Sequence, residues 1–156
     1  MSRPRADVLL ADGKNIAILR LLRTDPRLPV SELARQVGLS APATRERIQR
    51  LEDAGVIAGF RLELDPAALG YPITLFIRIR PEPGKLPKIA ELAQAMPEVS
   101  ECHRITGEDC FILKAHIEGL DRLDGLLDRF LAYGQTTTSI AQSSPVPPRG
   151  PPLEGD

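Results

Sequence analysis

The chain has 156 residues, of which 42% are hydrophobic, so it can form one ordinary domain or two small ones around a dense core. It contains no apolar run of membrane-span length, and the opening residues MSRPRADVLLADGK lack the apolar centre of a signal peptide, which predicts a cytoplasmic protein with no membrane partner. The net charge of −1 is divided unevenly, with +3 on residues 1–60 and −4 on residues 61–156. We therefore expect only the first half to contact phosphate, and its modest charge favours several copies acting together.

The first 25 residues predict a mobile arm followed by a helix. Residues 1–5 are basic and show no hydrophobic period, which is typical of an unstructured terminus. Between residues 13 and 23 apolar side chains recur at helical spacing. Asp25 and Pro26 then end the helix, because the residue before a proline disfavours helical backbone. The side chains predicted to face inward are Ile16, Ile18, Leu19 and Leu22.

Residues 30–57, VSELARQVGLSAPATRERIQRLEDAGVI, predict two short amphipathic helices joined by a tight turn. Leu33, Ala34 and Val37 form the inward side of the first helix. Gly38 lies where that helix must end and reverse, a position that often requires positive φ. Ser40 is placed to cap the second helix, and Pro42 is tolerated in its first turn. This is the layout of a helix-turn-helix motif whose second helix enters the DNA major groove.

The second helix, over residues 41–54, is predicted to be the recognition helix. Thr44, Ile48 and Leu51 form its inward stripe, which leaves three arginines on the side that faces solvent or a ligand. We expect Arg45 and Arg47 to contact DNA and Arg50 to lie nearer the phosphate backbone. An ordinary helical bundle with a solvated arginine face is the alternative interpretation. The candidate DNA-binding residues are Ser40, Ala41, Pro42, Ala43, Thr44, Arg45, Arg47 and Arg50.

The hydrophobic spacing changes after a connector at residues 61–71. Residues 56–64 alternate imperfectly as an extended segment, and the prolines and glycine that follow indicate a loop. Strands are then predicted over residues 73–80, 99–106, 110–117 and 135–142. Helices are predicted over residues 86–96 and 120–133. The tail at residues 143–156 is rich in proline and is predicted to be loose and flexible.

The order of these elements in residues 72–142, βαββαβ, predicts a ferredoxin-like α+β domain. In this arrangement both helices cover the same face of the sheet. Apolar residues occur at neighbouring positions of the strands, as in Leu75-Phe76-Ile77 and Phe111-Ile112-Leu113, so the other face also requires burial. The same sheet from a second copy would cover it, which predicts a dimer formed by symmetric packing.

Residues 6–148 resemble the leucine-responsive/asparagine-regulator (Lrp/AsnC) family of transcriptional regulators. The matching segments are SELARQVGLS, RERIQRLEDAGVIAGF, LDPAALG, ECHRITGED and TTTSI, of which the first two together are highly specific. The resemblance implies a winged helix-turn-helix domain at residues 1–60 and an amino-acid-sensing (RAM) domain in the ferredoxin-like half. It also implies binding to double-stranded DNA, dimers that form octamers or other even-numbered assemblies, and an amino-acid effector bound between subunits.

The resemblance places the effector at the turn after the second strand of the sensing domain and at the threonine-rich last strand. A buried site must pair both charges of the effector. N–H groups of the glycine turn and the hydroxyls of Thr136, Thr138 and Ser139 can donate to its carboxylate, and an acidic side chain can accept from its ammonium. The family turn is commonly Gly-x-x-Asp, whereas here a cysteine lies three residues after the glycine. Asp109 can replace the family aspartate, with Glu108 in reserve, or both can merely cap a hairpin turn. The candidate effector-binding residues are Gly107, Glu108, Asp109, Cys110, Thr136, Thr138 and Ser139.

Two other functions compete with an effector-modulated regulator. An enzyme resembling a sirohaem decarboxylase subunit would use the histidine and arginine of Cys102-His103-Arg104, although two histidines in the chain are few for acid–base chemistry. No nucleophile motif, phosphate loop or metal-ligand spacing appears, so no catalytic residue, metal site or cofactor is predicted. The second alternative is an architectural DNA binder that needs no effector. Cys102 and Cys110 lack CxxC spacing and are predicted to be buried thiols.

Overall fold

The computed structural model describes residues 6–155 and divides into two compact units: Met1–Leu62 together with Val146–Asp156, and Glu63–Pro145. The predicted arm at residues 1–5 lies outside the described residues. The helices of the N-terminal unit are α1 (Ala6–Leu10), α2 (Gly13–Thr24), α3 (Val30–Val37) and α4 (Ala41–Asp53). Helices α2, α3 and α4 form where the sequence predicts them, whereas α1 has too few residues to show a helical period.

An apolar core between α2, α3 and α4 holds the N-terminal unit together. Asp12 begins α2 by accepting a hydrogen bond from the Lys14 N–H at 2.8 Å, and Gly38 ends α3 with φ of 67°. Each large apolar side chain that is buried contributes about 1.5–3 kcal/mol. All the predicted inward residues are buried except Ile48, which is half-buried: Ile16, Ile18, Leu19, Leu22, Leu33, Ala34, Val37, Thr44 and Leu51.

The expected wing does not form as a paired strand. Residues 56–64 adopt no regular structure in the described chain, and no strand lies beside them. The backbone N–H groups of Val56 and Ile57 instead donate to the Leu51 carbonyl, at 2.9 and 3.1 Å. Gly55 permits this reversal with φ of 70°. Val56 and Ile57 therefore hydrogen-bond to the last turn of α4 and do not begin a strand.

The C-terminal unit has the predicted ferredoxin-like arrangement. Its four-stranded sheet has the order β2-β3-β1-β4, and all neighbouring strands are antiparallel. The second helix of the prediction begins instead as a 3₁₀ turn, Leu120–Arg122. The other elements are β1 (Ile73–Pro81), α5 (Leu86–Ala95), β2 (Val99–Arg104), β3 (Phe111–Ile117), α6 (Leu123–Leu131) and β4 (Gly134–Ile140).

The two faces of this sheet differ more than the sequence predicts. One face, with Leu75, Ile77 and Ile79 of β1 at its centre, packs in the apolar core with buried residues of α5 and α6. We call the opposite side the open face. It carries mostly polar and charged side chains, because successive residues of a strand point to opposite sides. Its apolar members are few, chiefly Phe76, which is 41% exposed, and Ile112, which is half-buried. Apolar side chains on the open face are therefore fewer than the sequence suggests, and its burial by a second copy stays a prediction.

The proline-rich tail forms no helix or strand, as expected, but it does contact the rest of the chain. Residues 146–155 belong to the N-terminal unit, although they follow the last strand of the other unit. The Arg20 side chain donates to the Glu154 carbonyl, and Arg23 Nη1 donates to the Pro151 carbonyl at 3.5 Å. Proline has no N–H to donate and this segment joins no ladder, so its backbone carbonyls remain available as acceptors for the arginines of α2.

Candidate DNA-binding and effector surfaces

Helix α4 begins as the sequence predicts. The Ser40 hydroxyl accepts a hydrogen bond from the Ala43 N–H at 3.3 Å, and Pro42 lies in the first turn, where its missing N–H costs nothing. Ser40 and Pro42 are exposed, while Ala41 and Ala43 are half-buried. The start of the helix therefore presents capping atoms and small side chains at the surface, which allows close approach to a ligand.

Thr44 is wrongly included among the DNA-binding candidates. Its side chain is 0% exposed, and its hydroxyl donates to the Ser40 carbonyl at 3.0 Å. A hydroxyl that is bonded to the preceding turn inside the core cannot reach a base or a phosphate. Thr44 belongs to the inward stripe of the helix, as the spacing with Leu51 also indicates.

Arg47 is not free on the outer side of the helix as predicted. Its Nη1 lies 2.5 Å from Asp12 Oδ2 and 2.9 Å from Asn15 Oδ1, and its side chain is 30% exposed. Asn15 is buried and donates through Nδ2 to the Leu9 carbonyl at 2.9 Å. The hydrogen bond from Arg47 lowers the pKa of Asp12 below its usual value of 3.8. Arg47 thus links α4 to the start of α2, and reading a base would require this network to break.

Arg45 is the arginine of α4 that remains available. It is exposed and makes no hydrogen bond or ion pair within residues 6–155, whereas Arg50 pairs with Glu46 at 2.6 Å. Gln49 is not among the predicted residues, yet it is exposed, and its side chain is bonded to Asp53 at 3.0 Å. Each residue turns a helix by about 100°, which places position 49 nearly opposite Thr44 and position 47 close to the inward stripe. A projection of every helix position therefore predicts that Gln49 is exposed and that Arg47 lies close to the core.

The turn after β2 is held by arginines that the sequence reasoning did not consider. Glu108 accepts a hydrogen bond from Arg80, while Asp109 lies 3.7 Å from Arg78 Nη1 and 3.8 Å from Arg80 Nε. Gly107 has φ of 110°, and the Ile105 N–H donates to the Cys110 carbonyl at 2.9 Å, which closes the turn. The Asp109 side chain is 24% exposed. Both candidate acidic groups thus already have positively charged partners.

The hydroxyl groups of β4 do not form one surface. Thr136 and Thr138 pair with Ile79 and Ile77, so they lie on the covered face, while Ser139 pairs with Phe76 and lies on the open face. The expectation that the three hydroxyls meet one carboxylate is wrong, because a strand alternates its sides every residue. β1 also lies between β4 and the strand that follows the turn. Within one chain, the turn and the threonines are therefore separated.

The two histidines of the sheet make local contacts. His103 is exposed and lies 3.5 Å from Glu101, and Lys114 lies 3.5 Å from the same carboxylate. The two nitrogens of His116 lie 3.1 Å from the hydroxyls of Thr74 and Ser100. Burial lowers the pKa of His116 below its usual value of 6.5, since it penalises the charged imidazolium.

The two cysteines are less buried than predicted. Cys102 is exposed on the edge strand β2, and Cys110 is half-buried. Within residues 6–155, no group of three or more His, Cys, Asp or Glu side chains is arranged to hold a metal ion. None of the helices in the same part of the chain combines the length and the apolarity that crossing a bilayer would require.

A helix-turn-helix unit joined to a ferredoxin-like unit defines a class of two-part DNA-binding regulators. The family model for the AsnC-type helix-turn-helix domain matches residues 12–52, and the model for the Lrp/AsnC ligand binding domain matches residues 74–151. The chain belongs to the Lrp/AsnC family of transcriptional regulators. The predicted family, fold class and regulatory function are thereby confirmed.

Individual relatives resemble the chain over most of its length. It is 36% identical over 133 residues to the uncharacterized HTH-type transcriptional regulator YezC of Bacillus subtilis (strain 168), covering 85% of this chain and 94% of that protein. It is 30% identical over 129 residues to LrpC of the same organism, covering 83% and 90%. The structure also resembles the complex of the transcriptional regulator NMB0573 of Neisseria meningitidis with L-Met, with a TM-score of 0.84, 28% identity and coverage of 92% and 97%.

Proposed function

We propose that this regulator binds double-stranded DNA through α4, as a dimer or a larger even-numbered assembly such as an octamer, and that an amino acid modulates it. The observation that carries the DNA-binding surface is Arg45, an exposed guanidinium without a partner in the described chain on the helix that follows the turn. An arginine in this position can donate to a base edge bidentately or bind phosphate. Ser40, Pro42, Gln49 and Arg50 extend the proposed surface.

We expect Arg45→Ala and Arg47→Ala to lower DNA binding for different reasons. Loss of Arg45 removes a direct contact, which should cost about 1–3 kcal/mol of binding and leave the unfolding free energy unchanged. Loss of Arg47 leaves the side-chain amide oxygen (Oδ1) of the buried Asn15 unpaired, which should cost about 1–2 kcal/mol of stability.

Mobility shift on operator fragments selected from genomic DNA, together with thermal unfolding, measures both effects. Arg122→Ala, in the other unit, provides the matched loss of one positive charge. If Arg45→Ala binds DNA like the unaltered protein, the proposed recognition surface is wrong.

The open face of the sheet is the proposed dimer contact. Its exposed Phe76 pairs with Lys114 and has Ile112 as a diagonal neighbour on β3, and apolar side chains within a polar surface are typical of an interface. Phe76→Glu should lower the mass of the full-length protein in light scattering at micromolar concentration, to one half if the unaltered protein is a dimer. Leu120→Glu, at a residue that is 59% exposed on the same unit, is the control and should leave the mass unchanged. An unchanged mass for Phe76→Glu would exclude this face.

We place the effector at the turn of residues 105–110. The cluster of Arg78, Arg80, Glu108 and Asp109 offers both charges that a free amino acid needs, since an ammonium can replace an arginine beside Asp109 while its carboxylate binds the released guanidinium. Another copy would have to supply the rest of the site, because the β4 hydroxyls lie apart from this turn. The amino acid bound in the complex of the Neisseria meningitidis relative supports this ligand class.

Asp109→Asn keeps the shape of the side chain and removes its charge. We expect it to lower amino-acid affinity about tenfold or more in isothermal titration with the twenty amino acids, because a charge-assisted hydrogen bond is lost. DNA binding without effector should persist. Glu108→Gln, at the more exposed neighbour, is the control and should have a smaller effect.

The ion pairs of Asp109 also favour a second candidate, a regulator that binds DNA without an effector. An absence of heat for all twenty amino acids in the unaltered protein would favour this candidate and contradict the effector site. We infer no enzymatic activity, since the relatives are transcriptional regulators.

A further inference from the structure

A cavity of about 870 Å³ lies in the C-terminal unit, far from the turn of residues 105–110. The turn precedes β3, whereas the cavity includes Ile117 at the opposite end of that strand. Seven residues of a strand span about 20 Å, so the two places are distinct. The volume lies within the range of about 300–1,000 Å³ that is usual for small-molecule sites. Nothing described above accounts for this cavity.

Glu98 gives the cavity an unsatisfied negative group. It lines the cavity, and its Oε2 is buried without a hydrogen-bond partner in the described chain. The backbone around it is held in place, because the His116 N–H donates to the Glu98 carbonyl at 2.9 Å and the Val99 N–H donates to the Met96 carbonyl at 3.1 Å. A buried carboxylate oxygen without a donor costs free energy that a bound ammonium would recover.

Arg129 supplies a positive group to the same cavity. It extends from α6, lines the cavity and makes no hydrogen bond or ion pair within residues 6–155. The other arginine of the lining, Arg122, is already close to Glu118 and Asp121, at 3.5 and 3.6 Å. One carboxylate and one guanidinium therefore remain for a ligand of mixed charge.

The rest of the lining is largely apolar. Met96 and Leu126 are buried in the core beneath the cavity, while Leu69 and Tyr71 of the connector border it and are 57% and 38% exposed. An apolar group of the ligand would cover these side chains, at about 25 cal/mol for each Å² removed from water. Gly125 adds space, since a Cβ at this position would meet no atom within 4 Å.

We propose that this cavity binds a small zwitterion with a large apolar side chain, separately from the effector site proposed above. Its ammonium would donate to Glu98, its carboxylate would accept from Arg129, and its side chain would lie between the connector and α6. L-Phenylalanine is a suitable probe, because phenethylamine and 3-phenylpropionate reproduce its ammonium and its carboxylate separately. Both analogues should bind more weakly than the amino acid.

The test is isothermal titration of these three compounds into full-length protein that carries Asp109→Asn, so that the other proposed site is impaired. Adding Glu98→Gln should weaken L-phenylalanine about 10- to 100-fold and leave 3-phenylpropionate unchanged. Adding Arg129→Gln should weaken 3-phenylpropionate and leave phenethylamine unchanged. Gly125→Leu fills the cavity from a helical position with free space and should abolish binding of all three compounds.

Four results would overturn the proposal. The first is an absence of L-phenylalanine binding in both the Asp109→Asn protein and the unaltered protein. The second is binding that survives Gly125→Leu, which would place the ligand elsewhere. The third is a fall in the assembly mass of the ligand-free Gly125→Leu protein in light scattering, which would identify the cavity as a contact between copies. The fourth is L-phenylalanine binding that is lost with Asp109→Asn but is unaffected when Glu98→Gln is made in the otherwise unaltered protein. This result would support only the effector site.

Discussion

Leu51→Ala is expected to abolish DNA binding while the C-terminal unit remains folded. Leu51 is 0% exposed and lies on the buried side of α4. Its truncation should cost about 2–5 kcal/mol, through lost burial and the cavity that remains. A unit of this size has only a few kcal/mol of stability, so α4 would lose its support.

The chain allows the two units to be followed separately. Both tyrosines, Tyr71 and Tyr133, lie in the C-terminal unit, and the sequence contains no tryptophan. In urea unfolding of Leu51→Ala, tyrosine fluorescence should keep its midpoint, while the helical signal in far-UV circular dichroism should begin to fall at lower urea. Glu52→Ala, at the exposed neighbouring position, should change the unfolding free energy from either signal by no more than about 0.5 kcal/mol. Retention of DNA binding by Leu51→Ala would contradict the role assigned to this core.

Gly134→Ala should destabilise the C-terminal unit, although alanine normally suits a strand better than glycine. Gly134 begins β4 and pairs with Pro81 of β1. A Cβ at this position would lie 2.4 Å from the Arg80 carbonyl oxygen and 2.9 Å from Pro81 Cα. Both are backbone atoms, so no side-chain rotation relieves the clash. We expect a loss of about 3 kcal/mol, since the start of β4 must move away from the central strand.

Gly125→Ala is the matched control for this substitution. The same methyl group is added in the middle of α6, where it meets nothing within 4 Å. It should stabilise the unit by about 0.5–1 kcal/mol, because glycine is a poor helix former. Tyrosine fluorescence during urea unfolding should therefore shift in opposite directions for the two variants. A shift in the same direction would show that the contact at Gly134 is relieved by a small backbone movement.

The sequence was sufficient for features that depend on neighbouring residues. The ends of α3 and α4 follow from Gly38, Ser40 and Pro42, and the βαββαβ order follows from the change of hydrophobic period after residue 72. Local rules act within a few residues, and here the cap, the turn and the spacing agree. The fold class could therefore be predicted without the structure.

Contacts between distant residues could not be predicted in this way. Arg47 meets Asp12 across 35 residues, and Arg80 meets Glu108 across 28. Both pairings depend on how whole elements pack, which the local spacing does not contain. The separation of the β4 hydroxyls, in contrast, could have been predicted from the sequence, because strand alternation alone places Thr138 and Ser139 on opposite faces.

The contact between the tail and α2 has a consequence for the order of folding. Arg20 and Glu154 are 134 residues apart, so the ribosome releases α2 long before its partner in the tail is made. The helices of the N-terminal unit make mainly local contacts and can form early, whereas the tail can reach α2 only after all the strands of the sheet have been synthesised. During synthesis, the DNA-binding helices therefore exist first without the tail, and the tail cannot dock before the sheet has been synthesised.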